Sequence, residues 1–197
     1  MQQSFGTGAA TNSIDDLEFT DLMLVTGANP TSAHPVTGAK IKQQAIRGKT
    51  LIVIDPVVTE LAAIADFHLQ LRPGTNVAVL NAMLHYIVIH ELIDTEFISS
   101  RCEGHDEFIE RIGKLDVKAM CEIAGLDPTL VEAAAVAYGA ASKAMSFHGL
   151  GVTEHSQGSK TVMLIANLAM ITGNIGKPGV GVNPLRGQNN VQGAADM

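Results

Sequence analysis

The stretch Leu22–Pro30, which reads LMLVTGANP, decides the fold class of this 197-residue chain. Its first five residues are apolar or β-branched with no polar alternation, a pattern typical of a strand buried on both faces. The following Gly-Ala-Asn-Pro has the composition of a tight turn. Helical patterning runs from about His34 to Arg47, and Gly48 closes it. A buried strand, a turn and a helix in this order predict the start of a βαβ unit.

The same succession recurs along the chain. A second apolar run, Thr50–Ile54 (TLIVI), ends at Asp55-Pro56, and a short helix is predicted near Thr59–Ala65. A repeated strand and helix of this kind is typical of a parallel sheet, because parallel strands need a helical crossover to return to the same edge.

Two more runs complete the predicted sheet. Phe67–Leu71 ends at the turn Arg72–Asn76 (RPGTN), where Asn76 is predicted to cap a helix that ends near His90. Ala144–Phe147 is the fourth run. Together the four runs and their helices predict an α/β fold, a Rossmann-like parallel sheet flanked by helices.

The sequence between the third and fourth runs is mostly helical. Residues 92–125 are charged and helical without clear boundaries. Asp127 and Pro128 have the residue types of a helix start, and the Ala-rich helix that they open is predicted to end near Ala141. After the fourth run, the apolar segment Gln157–Thr172 predicts a helix buried on most sides.

The segment 173–197 differs from the rest of the chain in composition. It contains six glycines and many amide side chains, and it has little apolar surface to bury. It is therefore either a flexible tail, or a segment that lines a polar ligand or joins a further domain. Its single arginine, Arg186, lies among small and amide residues and favours the ligand.

Composition and charge exclude several classes of function. The chain carries 20 acidic and 13 basic side chains, a net charge of -7, which argues against a nucleic-acid partner. No stretch reaches the ~20 apolar residues of a membrane span. Cys102 and Cys121 are too few for a zinc site or an iron–sulfur cluster. A disulfide between them is possible, but reduced thiols in a cytoplasmic protein are the interpretation that the globular composition favours.

Three predicted strand ends carry polar or turn-forming residues. They are the turn that begins at Gly27, the carboxylate of Asp55, and the turn that includes Gly74 and Asn76. The pairs Asn-Pro, Asp-Pro and Pro-Gly at these positions are each common in turns. In an open parallel sheet, however, ligands bind outside the carboxyl ends of the strands, so their shared position predicts a binding site. The chain lacks the G-x-G-x-x-G pattern, which argues against an ordinary nicotinamide or flavin site.

Other side chains are predicted to be structural. His148 and His155, spaced seven apart across glycines, have no metal-binding geometry and are interpreted as polar surface histidines. His85 and His90 do not share a helix face. No serine–histidine–aspartate series or carboxylate pair stands out.

Specific strings of sequence resemble the molybdopterin oxidoreductases. The strings are TGNIGKPG from Thr172 and GVNPLRGQNNVQG from Gly181, and RGQNNVQG resembles the formate dehydrogenase branch in particular. The stretch GLGVTEH from Gly149, the turn from Gly27 to His34, and the strand ending at Asp55 also match. The likeness covers essentially the whole chain.

The resemblance implies the role of the chain. In that family, a large catalytic subunit holds molybdenum or tungsten through two molybdopterin guanine dinucleotides, each on a Rossmann-like domain. Residues 1–197 are then a single domain that binds one of these dinucleotides, with 173–197 as its polar cofactor-lining segment. The intact subunit would oxidise formate to carbon dioxide.

The resemblance also implies site residues. Arg186 would orient formate, because a guanidinium stays protonated and pairs with a carboxylate through two hydrogen bonds. The implied contacts of the cofactor are the turn residues Gly27, Asn29 and His34, then Asp55 at the ribose, Gly74 and Asn76 near the guanine, Leu150 and Glu154 near the pterin or phosphates, and Gln188.

Three departures from the family pattern affect these expectations. Val57-Val58 stand where the family commonly has a basic residue, and Glu154 stands where some members have glutamine. The metal-ligating cysteine or selenocysteine, the iron–sulfur cysteines, the second dinucleotide domain and the C-terminal domain are missing, so no metal ligand is predicted here. We therefore expect a fragment that does not turn over formate alone and whose partners are the missing domains and electron-transfer subunits. A nitrate-reductase type of enzyme and a non-catalytic nucleotide-binding module are the alternatives.

Overall fold

The structure is a computed structural model that describes the backbone of residues 1–196 and their side chains except those of Gln192, Ala195 and Asp196. Met197, the last residue of the predicted cofactor-lining segment, lies outside the described residues. Five parallel strands form one sheet in the order β3-β2-β1-β4-β5. The strands are β1 (Leu22–Thr26), β2 (Thr50–Ile54), β3 (Phe67–Leu69), β4 (Ala144–His148) and β5 (Gly181–Pro184). This confirms the predicted α/β class.

Helices connect the strands and cover both faces of the sheet. The α-helices are α1 (Gln2–Phe5), α2 (Pro30–Ala33), α3 (Pro35–Ile46), α4 (Asn76–Ile89), α5 (Thr95–Arg101), α6 (His105–Gly113), α7 (Val117–Ala124), α8 (Pro128–Ala140), α9 (Leu150–Thr153), α10 (Gly158–Ile171) and α11 (Val191–Asp196). Short 3₁₀ helices span Ile14–Phe19 and Ala62–Ile64. Within residues 1–196, no helix is long and apolar enough to cross a bilayer.

Both faces of the sheet are buried, which explains why its strands appear in the sequence as continuous apolar runs. Leu22 and Leu24 of β1 pack with α4, α8 and α10 in the larger core cluster. Met23 and Val25 point to the other face and pack with Ile41 of α3 in the smaller cluster. All of β1 is therefore buried, as the sequence predicted for a central parallel strand.

Of three predicted helix starts, the structure confirms two and corrects one. The helix predicted from about His34 to Arg47 is confirmed as α3, which His34 and Arg47 flank. The short α2 precedes it, and Pro35 begins α3 as a separate helix. Asn76 is not the cap of α4. Thr75 occupies that position, and the amide of Asn76 instead donates across the sheet edge to the Gly151 carbonyl, at 3.4 Å. The predicted cap of α8 is confirmed, since the Asp127 carboxylate accepts from Thr129 N–H at 2.9 Å.

The glycine-rich segment 173–196 is not a flexible tail. Its residues 181–184 form β5, which pairs with β4, and Val180 and Val182 are fully buried. Gly181 has φ 143°, and a Cβ there would lie 1.9 Å from Oδ1 of Asn12, so the glycine lets the edge strand pack against the N-terminal segment. The composition of this segment did not predict β5, because a strand can become ordered by pairing with an existing sheet even when its own sequence contains few apolar residues.

Asn174 joins the end of α10 to the start of β4. Its side chain is fully buried, its Oδ1 accepts from Ala144 N–H at 2.8 Å, and its Nδ2 donates to Oγ1 of Thr172 at 2.8 Å. The amide thus satisfies a buried backbone donor that has no strand partner.

We expect Asn174→Ala to lower the free energy of unfolding by about 2–3 kcal/mol, because it leaves the Ala144 N–H buried and unpaired. Gln43→Ala, which removes an exposed amide of α3, is the control and should change stability by less than about 0.5 kcal/mol. Urea unfolding followed by circular dichroism measures both, and equal losses would contradict the role of Asn174.

Candidate cofactor-binding site

The strand order creates a crevice beside β1. The chain leaves β1 towards β2 and β3 on one side, whereas β4 and β5 lie on the other side. The loops after β1 and β4 therefore diverge at the carboxyl edge of the sheet, which is where open α/β sheets bind their ligands.

Two glycine-containing loops meet at this edge. Gly149 N–H donates to Thr26 O at 3.2 Å, and Gly151 N–H donates to Gly27 O at 3.0 Å. A Cβ on Gly151 would lie 2.8 Å from Gly27 O, and a Cβ on Gly27 would lie 2.7 Å from the Gly151 carbonyl carbon. Gly27 also has φ 54°. Glycines are therefore needed on both sides for the two backbones to touch.

The larger part of the crevice, named here the switch-point cavity, has a volume of about 210 Å³. Five of the predicted cofactor residues line it, namely Gly27, Asn29, Asp55, Gly74 and Asn76. The structure thus brings together residues from the ends of β1 and β2 and from the turn that opens α4. Gly151 and His155, which were not predicted as site residues, also line it.

Asp55 is the acidic group of the switch-point cavity. Its Oδ1 accepts from Val57 N–H at 2.8 Å, and only 9% of the residue is exposed. Burial raises the pKa of the carboxyl, against the opposing effects of the Val57 hydrogen bond and of His68. The second carboxyl oxygen is left available as an acceptor at the cavity wall.

The turn after β1 supplies donors to the same space. Within residues 1–196, the backbone N–H groups of Ala28 and Asn29 donate to no other part of the chain. The Asn29 carbonyl already belongs to the first turn of α2, accepting from Ala33 N–H at 3.0 Å. Two unused amides beside glycine backbone are the donors that an anionic group can accept from.

A smaller neighbouring cavity, of about 170 Å³, is lined by two more of the predicted cofactor residues, His34 and Leu150. Nε2 of His34 lies 2.5 Å from the Arg186 carbonyl oxygen. The turn after β1 is therefore tied to the segment that follows β5. Leu150 is 42% exposed, so its side chain is free to cover a ligand in this cavity.

A third cavity, named here the arginine cavity, has a volume of about 380 Å³ and is lined by Arg186, His148, Thr153, Pro184 and the first residues of α10. Nη2 of Arg186 donates to Gly8 O at 2.7 Å, while its Nε is buried without a partner in the described residues. The guanidinium is thus held through Nη2, and Arg186 lines the cavity.

The interpretation of His148 as a surface histidine is wrong. His148 is only 2% exposed, because it is the last residue of β4 and pairs with Pro184 of β5, a strand that the sequence analysis missed. Burial, together with the positive charges of the N-terminal amino group and Arg186, lowers the pKa of His148 to about 4. His155 is exposed, as predicted.

Two predicted residues lie further from the switch-point cavity. Gln188 is exposed and lines a small cavity that also includes Leu150 and Arg186. Glu154 is exposed at the end of α9 and lines none of these cavities. The structure therefore does not bring Glu154 to these cavities.

Other ionisable groups have ordinary structural roles. Nδ1 of His85 lies 2.9 Å from Ile112 O, and His90 pairs with Glu132 at 2.7 Å. Cys102 and Cys121 are free thiols. Among the side chains that the structure describes, no group of three or more His, Cys, Asp or Glu residues could hold a metal ion.

Comparison with known proteins decides the family. The family described as molybdopterin oxidoreductase matches residues 2–197. The chain belongs to the molybdopterin oxidoreductase family.

Relatives within the family include formate dehydrogenases. The chain is 46% identical over its whole length to the F420-dependent formate dehydrogenase 1 subunit alpha of Methanococcus maripaludis, of which it covers 29%. It is 43% identical over its whole length to formate dehydrogenase H of Escherichia coli, of which it covers 28%. The chain thus spans less than a third of the curated relatives that it matches.

A solved structure has the same fold. Acetylene hydratase from Pelobacter acetylenicus superposes with a TM-score of 0.83 and 27% identity, over 92% of this chain and 24% of that one. The fold of this chain is therefore also present within acetylene hydratase.

The sequence could have indicated two of the missed residues. Gly151 belongs to a Gly-x-Gly break after a buried run, which is a signal of close backbone approach. His155 follows the same break and is one helical turn before α10. His148 carried no such signal, because its burial depends on β5.

We expect Gly151→Ala to destabilise the fold by about 1–3 kcal/mol, since its Cβ would overlap the backbone of Gly27. Gly113→Ala is the matched control, because a Cβ there meets only Val88 Cγ1 at 3.8 Å. Thermal unfolding measures both. A Gly151→Ala chain as stable as the control would show that the two loops do not need to touch.

Proposed function

We propose that this chain binds one guanine dinucleotide of a molybdopterin cofactor in the switch-point cavity, as part of a subunit that oxidises formate. The observation that carries the proposal is the convergence of Gly27, Asn29, Asp55 and Asn76 on one cavity at the edge of the sheet. Family membership makes molybdopterin the expected cofactor, and the formate dehydrogenase relatives favour the substrate.

The chemistry of the cavity fits a nucleotide. The unused amides of Ala28 and Asn29 suit a diphosphate, whose oxygens accept hydrogen bonds from backbone N–H groups. The carboxylate of Asp55 suits ribose hydroxyls, which donate hydrogen bonds. Asn76 presents an amide that both donates and accepts, as the edge of guanine requires. Val57 and Val58 are 62% and 58% exposed and add no cation, so the phosphate contacts would come from backbone.

Arg186 suits the substrate side of the proposal. It is held by Gly8 through Nη2 and by His34 through its carbonyl, so its orientation does not depend on ligand. A fixed guanidinium can pair with the carboxylate of formate through two hydrogen bonds. When bound, the cofactor would supply the molybdenum or tungsten centre that accepts the two electrons of formate.

The rest of the catalytic machinery follows from the family. We propose that the metal ligand, an iron–sulfur cluster and the second dinucleotide site belong to other domains of the same subunit, and that electrons leave through a partner subunit. This chain contributes one dinucleotide site and the arginine that orients the substrate.

The cofactor part of the proposal predicts guanine-selective binding. By titration calorimetry, GDP should bind the 197-residue chain more tightly than ADP. Asp55→Ala and Asn76→Ala should each weaken GDP binding by about ten-fold, the loss of one hydrogen bond of about 1.4 kcal/mol. Asp106→Asn removes a carboxylate that is 97% exposed on α6 and should leave the affinity unchanged. Equal binding of GDP and ADP, or no binding, would contradict a guanine site in this chain.

The substrate part predicts a specific role for Arg186. In a metal-loaded subunit that contains this chain, Arg186→Lys should raise KM for formate by about ten-fold or more, because a lysine cannot form the paired hydrogen bonds. Steady-state dye reduction with formate measures this. Lys118→Arg, on the exposed surface of α7, is the control. An unchanged KM in the Arg186→Lys enzyme would remove Arg186 from substrate binding.

A further inference from the structure

The pairing of β4 with β5 places His148 close to Arg186. It is the last residue of β4 and is in register with Pro184 of β5, and its carbonyl accepts from Leu185 N–H at 2.8 Å. Arg186 follows directly. Both side chains line the arginine cavity and a smaller adjoining cavity of about 110 Å³.

The arginine cavity is suited to an anion. In a chain with a net charge of -7, no Asp or Glu of the described residues lines this cavity. Its wall combines Arg186 with Gly158 and Ser159, the first two residues of the 14-residue helix α10. A helix N terminus carries partial positive charge, and it adds to the field of the guanidinium.

The imidazole of His148 is neutral in this setting. Burial and the nearby positive charges lower its pKa to about 4, so it carries one N–H donor and one lone pair at neutral pH. A neutral donor can approach an anion beside a guanidinium without the repulsion that a second cation would meet.

The position of each ring nitrogen indicates where the proton lies. Nδ1 is buried and has no hydrogen-bond partner among the described residues. A buried N–H without an acceptor is rarer in proteins than an unpaired lone pair, so the proton is expected on Nε2. Since the ring lines the cavity while Nδ1 is sealed from it, Nε2 is the nitrogen that can serve the cavity.

We propose that His148 donates its Nε2–H to the same carboxylate that Arg186 binds, as a second and uncharged donor in the arginine cavity. This inference rests on the proposed function for the identity of the anion, formate. The two donors come from adjacent strands β4 and β5, so their spacing is set by the sheet rather than by a loop. His148 is thus a substrate-binding residue, and it selects an oxyanion with two acceptor oxygens over a spherical anion.

Substitution of His148 tests the inference on the 197-residue chain. Sodium formate is titrated against the ¹⁵N-labelled chain, with sodium chloride at equal ionic strength as reference, and the amide signals of Arg186 and Gly187 are followed. His148→Met should weaken formate binding by about ten-fold, whereas His148→Gln should bind within about two-fold of the parent chain. The glutamine keeps an N–H donor where Nε2 was. His90→Met is the control, because His90 is partly exposed at the carboxyl end of α4 and lines neither of these cavities.

The outcomes separate this inference from the proposed function. Equal formate affinities of the His148→Met and parent chains, equal losses in the methionine and glutamine variants, or no formate binding by the parent chain would each overturn it. If His148→Met does not fold, formate must instead shift the Nε2–H signal of His148 in the ¹⁵N-histidine-labelled parent chain, and an unchanged signal overturns it. Guanine-selective nucleotide binding is measured in another cavity and is unaffected by these results.

Discussion

The contact between the loops after β1 and β4 is the constraint on which the site depends. The backbones of Gly27 and Gly151 touch, and a Cβ on either would overlap the other. Both glycines line the switch-point cavity, which lies where the strand order reverses. The adjacent amides and the side chain of Asn76 are positioned by this contact, since Asn76 donates to the Gly151 carbonyl. A larger residue at either glycine would overlap the facing backbone at the edge of the sheet where the cavities lie.

A second constraint links the two ends of the chain. β5 is the edge strand, and it is held on one side by β4 and on the other by Thr11 and Asn12 of the N-terminal segment. Thr11 Oγ1 accepts from Val182 N–H at 2.9 Å, and Asn12 Oδ1 accepts from Nδ2 of Asn183 at 3.1 Å. Covering this edge fixes the start of the segment that carries Arg186. The arginine then reaches back to Gly8, so both ends of the domain build the arginine cavity.

The switch-point cavity and the arginine cavity differ in the charged groups that line them. The switch-point cavity contains the carboxylate of Asp55 and backbone donors, a combination that suits a nucleotide with both hydroxyl and phosphate groups. The arginine cavity contains a guanidinium, a neutral imidazole and a helix N terminus, a combination that suits a small carboxylate. His34 connects them, because it lies beside the first and contacts the Arg186 carbonyl at 2.5 Å.

The sequence by itself determined the fold class, four of the five strands and most of the candidate site. Buried parallel strands leave long apolar runs, and their ends leave turn residues, so Gly27, Asp55 and Asn76 could be assigned to one sheet edge from local pattern alone. The RGQNNVQG string similarly indicates the family from sequence alone. Only the tertiary structure decided the rest. β5 has too little apolar character to predict, because its order comes from hydrogen bonds to β4 and from contacts with Asn12, far away in sequence. The burial of His148, its neutral state and its place beside Arg186 follow from that strand, and non-local pairing of this kind leaves no periodic signal in a single sequence.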